Sequence, residues 1–229
     1  GRGLEIKTHV DLDLATHSDA SPTQRYPAGV TICVPAYNEA VTIRQVVTDA
    51  HATLEQISIP GEILVIDDCS TDDTWQILCA AQKTLPRLRL RRHPANQGIA
   101  STFAELYRWA RYELVFLNSA DGQWKMHSLL ALLPLADRYD IVIARRPVKH
   151  YRLGRRIVSW LFNALPAILF AARTHDAGSV KLVRRAIYDI PLISRGVFGE
   201  AERIIRAQRR GLRIAVRDVE HFPRTSGKA

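Results

Sequence analysis

The sequence has no glycine-rich loop of the kinds that bind phosphate groups in many nucleotide-binding proteins. No GxGxxG follows the first predicted strand and no GxxxxGK(S/T) occurs in the chain, which argues against an NAD-type site and against a P-loop NTPase. A GxSxG nucleophile elbow is missing as well, so the sequence does not indicate an α/β-hydrolase. If the protein binds a phosphate group, it must therefore use loops other than these glycine-rich ones.

Cysteine is scarce. Cys33, Cys69 and Cys79 form no CxxC pair and have no histidine partner at zinc spacing, so the pattern does not predict a zinc site. An odd number of cysteines in a chain without a visible secretion signal predicts reduced thiols and a cytoplasmic setting. The 8 histidines are scattered along the chain. We assign none of them to a metal and expect each at the surface or in a helix cap.

Acidic residues are few in the last part of the chain. Residues 145–229 have 16 Arg, 3 Lys and 6 acidic residues, a net charge of +13, whereas residues 1–144 have 10 Arg, 3 Lys and 17 acidic residues, a net charge of −4. An arginine-rich half indicates contact with phosphate groups of nucleic acid, anionic lipid or a phosphorylated substrate. No nucleic-acid-binding motif is present, so we expect no nucleic-acid partner.

No hydrophobic stretch is long enough for a comfortable membrane span. The most apolar one, residues 157–172, has only 16 residues and contains Asn163 and Pro166. Arginines border it on both sides and Trp160 lies inside it, a pattern that predicts a basic amphipathic segment lying at a membrane surface. The alternative is a buried helical hairpin.

Strand and helix patterns alternate from residue 29 to residue 145. Five short aliphatic or β-branched runs are separated by segments with helical periodicity, of which one covers residues 126–136. The runs begin near Val30, Glu62, Leu88, Leu114 and Tyr139. This alternation predicts an α/β fold in which residues 29–145 form a parallel, doubly wound sheet.

Polar clusters follow four of the predicted strands. They are Tyr37-Asn38-Glu39, Asp67-Asp68, residues 118–123 and Arg145-Arg146. Because the carboxyl ends of parallel strands share one edge of the sheet, we expect these clusters to lie together. Carboxylates at the first two ends can accept hydrogen bonds from a base and a ribose. Asp121 and Gln123 can hold a divalent cation on a diphosphate, unless Asp121 only caps the next helix.

Four motifs at these strand ends follow one another in the order and spacing of a known family. They are VPAYNE from Val34, VIDDCSTD from Val65, NQG from Asn96 and ADGQ from Ala120. Together they resemble the family 2 glycosyltransferases, which have the GT-A fold. The later motifs DAGSVKL, from Asp176, and FPRTSGK, from Phe222, are most similar to the branch of dolichyl- and polyprenyl-phosphate mannose synthases.

The resemblance implies an inverting transferase that moves a mannose- or glucose-type sugar from a GDP- or UDP-linked donor to a polyprenyl-phosphate lipid. It implies Mg²⁺ or Mn²⁺ as cofactor. With the pattern of residues 157–172 and the reduced cysteines, we expect a peripheral protein at the cytoplasmic face of the membrane, contacted through residues 157–172. A lipid phosphate, with a second pKa of about 6, is largely ionised at neutral pH and needs no strong general base. Two alternatives remain open: transfer to a saccharide or soluble acceptor, and a non-catalytic relative that binds nucleotide sugars.

The resemblance also implies roles for individual residues. Those that would hold the donor nucleotide are Pro35, Tyr37, Asn38, Glu39, Asp67, Asp68 and Asn96. The metal ligands would be Asp121 and Gln123, and the catalytic residues Asp121, Asp176, Arg145 and Arg156. The acceptor phosphate would meet Arg146, Arg224 and Lys228. For a hydroxyl acceptor a carboxylate base is needed; the candidates are Asp176, otherwise a cap, and Glu200, otherwise a partner of Arg203 within one helix.

The sequence departs from the family pattern at Ser119. The family usually has an aspartate at this position, and a serine hydroxyl is a weaker, neutral ligand for a hard cation. Three interpretations follow: Asp121 and Gln123 hold the metal with phosphates and water, the metal binds more weakly, or the protein has lost catalysis. We favour the first because Asp121 and Gln123 are both present.

The domain organisation expected from these patterns is simple. Residues 1–28 are polar and interrupted by prolines, which predicts a poorly packed leader. Residues 29–229 are expected to form one GT-A domain. In it, residues 29–145 would bind the nucleotide sugar and residues 146–229 would face the acceptor and the membrane.

Overall fold

Short aliphatic runs form the strands of this protein because β-branched side chains pack well on a pleated, buried surface. The computed structural model describes residues 26–145, 180–193 and 199–220. The strands are β1 Val30–Ala36, β2 Gly61–Asp67, β3 Leu88–Arg92, β4 Leu114–Leu117, β5 Ile141–Arg145, β6 Lys181–Arg184 and β7 Ile214–Asp218. The helices are α1 Ile43–Leu54, α2 Thr74–Gln82, α3 Ile99–Trp109, α4 Ser128–Leu132 and α5 Gly199–Arg209. Short 3-10 helices cover Leu133–Leu135 and Arg185–Asp189.

The strands form one seven-stranded sheet in the order β3-β2-β1-β4-β6-β5-β7. Strand β1 pairs in parallel with β2 and β4, β2 with β3, and β5 with β7. Strand β6 is antiparallel to both β4 and β5. The mostly parallel sheet is confirmed. The expectation that residues 29–145 alone make a parallel sheet is wrong at β5, because strand β6, which comes later in the chain, lies between β4 and β5 and is antiparallel to both.

Helices cover both faces of the sheet. Alternate residues of β1 point to opposite faces, so Ile32 and Val34 join the core under α1, α2 and α4, while Cys33 joins the core under α3 and α5. The single helix predicted for residues 126–136 is shorter, because α4 gives way to a 3-10 turn that contains Pro134. Proline cannot donate the backbone hydrogen bond that an α-helix interior needs.

Several expectations concern residues outside the described ranges. They are most of the leader, the segment 157–172, Arg146, Arg156, Asp176, Arg224 and Lys228. Within the described ranges, no helix has both the length and the apolar character that a membrane crossing requires.

Candidate functional site

The carboxyl ends of β1, β2 and β4 meet at one edge of the sheet and open into a cavity of about 420 Å³. Register places Ala36 beside Asp67 and Cys33 beside Leu117, so the loops after these strands start at nearly the same level. The predicted site residues that line the cavity are Pro35, Tyr37, Glu39, Asp68, Asn96 and Asp121. Asn38, Asp67, Gln123 and Arg145 do not line it.

The loop after β1 exposes one aromatic ring, and other side chains near it form hydrogen bonds to the neighbouring loops. Tyr37 is 46% exposed at the cavity. Asn38 has a positive φ of 55°, and its side-chain oxygen accepts a hydrogen bond from the Thr71 backbone N–H at 2.8 Å. Thr42 donates to the Ala120 carbonyl at 2.7 Å, which joins the start of α1 to the loop after β4. Asn38 therefore shapes the site from behind the cavity wall.

Asp67 and Asp68 are neighbours in sequence but have different environments. Asp67 is fully buried; it accepts hydrogen bonds from the backbone and hydroxyl of Ser70 and pairs with Arg92 at 3.0 Å. Asp68 lines the cavity. Successive residues at the end of a strand point to opposite sides, so only one of the pair reaches the cavity.

The carboxylate of Asp68 is held by three donors. The backbone N–H groups of Gln97 and Gly98 donate to its Oδ1 and Oδ2, each at 2.8 Å, and His93 Nδ1 lies 2.6 Å from Oδ1. Burial alone would raise the pKa of Asp68, but these hydrogen bonds outweigh it and the pKa is lowered. The expectation that His93 lies at the surface or in a helix cap is wrong: it is 4% exposed and contacts the Asp68 carboxylate.

Helix α3 contributes residues that the sequence patterns did not assign. Gly98, Ile99 and Thr102, at the beginning of the helix, line the cavity. Gly98 has a positive φ of 83°, which favours glycine, and its backbone N–H binds Asp68. The NQG motif predicted the position of this turn, but it did not predict that Ile99 and Thr102 line the cavity.

Ser119 and Asp121 form a compact turn after β4. The Ser119 hydroxyl donates to Asp121 Oδ1 at 2.5 Å, and the Gln123 backbone N–H donates to the same oxygen at 3.0 Å. Within the described residues, no group of three or more His, Cys, Asp or Glu side chains could hold a metal by itself. A cation such as Mg²⁺ is commonly bound by one or two carboxylates together with substrate phosphates, and Asp121 in the cavity fits that role.

Arg145 ends β5 away from the cavity. Its guanidinium pairs with Asp218 on the neighbouring strand β7, with Nε 2.6 Å from Oδ1. Both side chains are about half exposed. The hydrogen bond and charge of Arg145 lower the pKa of Asp218. Among the described residues, no arginine lines the cavity, so the arginine predicted at the site is not found there.

Glu200 lies in a second buried cluster, beside β6. Its carboxylate accepts from Lys181 Nζ at 2.7 Å and from the Tyr188 hydroxyl at 3.0 Å, and Arg203 Nε is 3.6 Å away. Burial would raise its pKa, but Lys181 and then Arg203 lower it on balance. The helical pair with Arg203, one of the two interpretations of Glu200, is confirmed.

Comparisons with known proteins bear on the family and the fold of this chain. The family model described as Glycosyl transferase family 2 matches residues 31–189. An uncharacterized glycosyltransferase of Mycobacterium tuberculosis is 28% identical over 209 residues, covering 87% of this chain and 88% of that protein. An undecaprenyl-phosphate mannosyltransferase of Micrococcus luteus is 24% identical over 215 residues, covering 87% and 86%.

The fold is also found among solved structures. Glucosyl-3-phosphoglycerate synthase of Mycobacterium tuberculosis, crystallised with Mn²⁺, UDP and glucosyl-3-phosphoglycerate, superposes with a TM-score of 0.68 at 18% identity. The match covers 88% of this chain and 73% of that one. At this identity the likeness establishes the fold, and the expected GT-A architecture is confirmed.

Proposed function

The chain belongs to glycosyl transferase family 2, and from that membership we propose that it transfers a mannose- or glucose-type sugar from a nucleotide-sugar donor to a polyprenyl phosphate. The transfer inverts the anomeric carbon. The acceptor's phosphate oxygen forms the new bond to that carbon as the bond to the donor diphosphate breaks, and the nucleoside diphosphate leaves with the electron pair. We place the enzyme at the cytoplasmic face of a membrane as a peripheral protein.

The observation that carries the proposal is the cavity at the strand ends. Its volume of about 420 Å³ lies within the range of small-molecule sites, roughly 300–1,000 Å³. Tyr37 offers an exposed ring for stacking on a base, Asp68 offers a carboxylate to a base N–H, and Asp121 offers a hard oxygen ligand. These three groups suit the base and the diphosphate of one nucleotide sugar.

A divalent cation fits this proposal at Asp121. When bound, such a cation neutralises charge on the departing diphosphate. The chain's own part is to hold the Asp121 carboxylate in place through Ser119 and the Gln123 backbone N–H. In this arrangement Ser119 supports the remaining aspartate through a hydrogen bond, which is a role that a neutral side chain can fill.

The second buried carboxylate supports an acceptor that is already ionised. Glu200 is engaged by Lys181 and Tyr188, and its pKa is lowered, so it is poorly suited to remove a proton from a sugar hydroxyl. A phosphate monoester needs no such base, because it is largely ionised at neutral pH. The net charge of +13 over residues 145–229 and the name of the Micrococcus luteus relative support a lipid phosphate.

The acceptor can be tested directly. The purified chain is incubated with Mn²⁺, radiolabelled GDP-mannose or UDP-glucose, and either a polyprenyl phosphate in detergent or phosphoglycerate. We expect label in the lipid extract and none in the water-soluble product. Transfer to phosphoglycerate alone would contradict the lipid acceptor, and release of no sugar in any arm would indicate a non-catalytic relative.

The metal is tested by calorimetric titration of the donor nucleotide with and without Mn²⁺. We expect nucleotide binding by the unchanged protein to weaken strongly when the metal is removed with a chelator. The loss of affinity on removing the metal should be smaller in Asp121→Asn. Metal-independent binding in the unchanged protein would contradict the role given to Asp121.

A further inference from the structure

His93 follows β3 and lies in the interior between the loop after β2 and helix α3. Its backbone N–H donates to the Asp67 carbonyl at 2.9 Å, which fixes the start of the segment that leads to α3. Its imidazole is 4% exposed. A buried polar ring is costly unless it is hydrogen-bonded, and a leucine could fill the same space. The contacts of His93 therefore need an explanation beyond packing.

Carboxylates lie on both sides of the imidazole. Nδ1 is 2.6 Å from Asp68 Oδ1, and Nε2 is 3.5 Å from Glu105 Oε2 on α3. Within the described residues Nε2 makes no hydrogen bond. An ionised carboxylate only accepts hydrogen bonds, so the short contact to Asp68 requires the hydrogen to be on Nδ1. His93 is therefore a donor to Asp68.

The donors around Asp68 limit what it can still bind. A carboxylate has about four lone-pair positions, two on each oxygen. His93 Nδ1 and the Gln97 N–H occupy Oδ1, and the Gly98 N–H takes one position on Oδ2. One acceptor position remains on Oδ2 for a ligand in the cavity that Asp68 lines.

A single acceptor position distinguishes between nucleobases. Guanine presents two adjacent donors, N1–H and the N2 amino group, and a carboxylate pairs with both only when both of its oxygens are available. Uracil presents one donor, N3–H, between two carbonyl oxygens. We propose that His93 is a positioning residue that leaves Asp68 one acceptor position and so selects a uracil nucleotide over a guanine nucleotide. This inference rests on the proposed function, because it concerns the donor of the same site.

The test compares UDP and GDP binding to the full chain by calorimetry in the presence of Mn²⁺. We expect the unchanged protein to bind UDP at least tenfold more tightly than GDP, about the effect of one hydrogen bond to a charged group. His93→Leu removes the donor to Asp68 and frees one position on Oδ1. It should weaken UDP binding about tenfold and reduce the preference for UDP over GDP.

Two variants separate positioning from folding. His93→Asn retains a donor near the place of Nδ1 and should recover most of the UDP affinity and the base preference. His51→Leu changes another histidine with a buried ring nitrogen that lacks a hydrogen bond, in the last turn of α1, and should leave both affinities unchanged. Thermal melting of each variant shows whether it is folded.

Distinct results would overturn the inference and the proposed function. Equal binding of UDP and GDP by the unchanged protein contradicts base selection. Unchanged UDP affinity in His93→Leu, or equal losses in His93→Leu and His93→Asn, contradicts positioning by His93 while the proposed function stands. If the unchanged protein binds neither nucleotide with Mn²⁺, the proposed function fails and this inference fails with it.

Discussion

Asp68 and Glu200 are two buried carboxylates whose pKa values are both lowered, and they differ in what holds them. Asp68 is bound by two backbone N–H groups and His93, and it lines the cavity. Glu200 is bound by the side chains of Lys181, Tyr188 and Arg203 and does not line that cavity. Burial with a lowered pKa is thus common to the residue that we propose binds the base and to a residue that pairs only with side chains of the fold. The remaining acceptor position and the access to a cavity tell them apart.

The largest effect that tests this comparison is on the Glu200 cluster. Lys181→Met leaves the buried carboxylate without its nearest cation, and breaking a buried ion pair costs about 3 kcal/mol of unfolding free energy. Urea denaturation measures the loss. Arg184→Met at the other end of β6 is the matched control, since its ion pairs are more exposed and should cost less. Donor affinity of the folded Lys181→Met protein should not change; a change would place this cluster in the donor site.

A smaller effect is expected at the cavity. Asp68→Asn removes the charge that we propose contacts the base and should weaken nucleotide binding roughly 10- to 100-fold, the range for a hydrogen bond to a charged group. Calorimetry with UDP and Mn²⁺ measures it. Glu200→Gln is the comparison: it should lower the unfolding free energy and leave nucleotide affinity unchanged. If the two variants exchange these outcomes, the assignment of roles is wrong.

The pH dependence of stability should reveal both carboxylates. Their pKa values in the folded protein are lowered relative to unfolded values of about 3.9 for Asp and 4.3 for Glu. The unfolded chain therefore binds protons more readily, so their contribution is complete above these values and is lost as the pH falls through the folded pKa values. Between about pH 7 and pH 3, Asp68→Asn and Glu200→Gln should each lose less stability than the unchanged protein. An unchanged slope would contradict the lowered pKa.

The smallest effect is expected at Arg145. Arg145→Ala removes a half-exposed pair with Asp218 at the end of β5, and exposed pairs stabilise little. We expect no measurable change in nucleotide affinity and little change in the denaturation midpoint. Loss of sugar transfer with unchanged stability would instead support the catalytic role that the family resemblance implies for this arginine.

The comparison also shows how far local sequence could lead. The four motifs placed Tyr37, Asp68 and Asp121 at one edge of the sheet, because each follows a buried strand. The motifs could not show which of Asp67 and Asp68 faces the cavity, because the side that a strand residue faces is set by the register of the strand and by its neighbours in the sheet. His93 was missed because its partners, Asp68 and Glu105, are 25 and 12 residues away in sequence. The place of strand β6 between β4 and β5 was missed because it depends on pairing between residues far apart in sequence.

The position of β6 has a consequence for how the chain reaches its native state. Strand β4 pairs with β1 on one side and β6 on the other, and β5 pairs only with β6 and β7. During synthesis, one edge of β4 and both edges of β5 therefore lack their hydrogen-bonded neighbours until residues 181–218 have been made. Unpaired strand edges favour aggregation, and non-local pairing is slow. A nascent chain that stalls before residue 181 would expose this apolar edge, which makes it a target for chaperones.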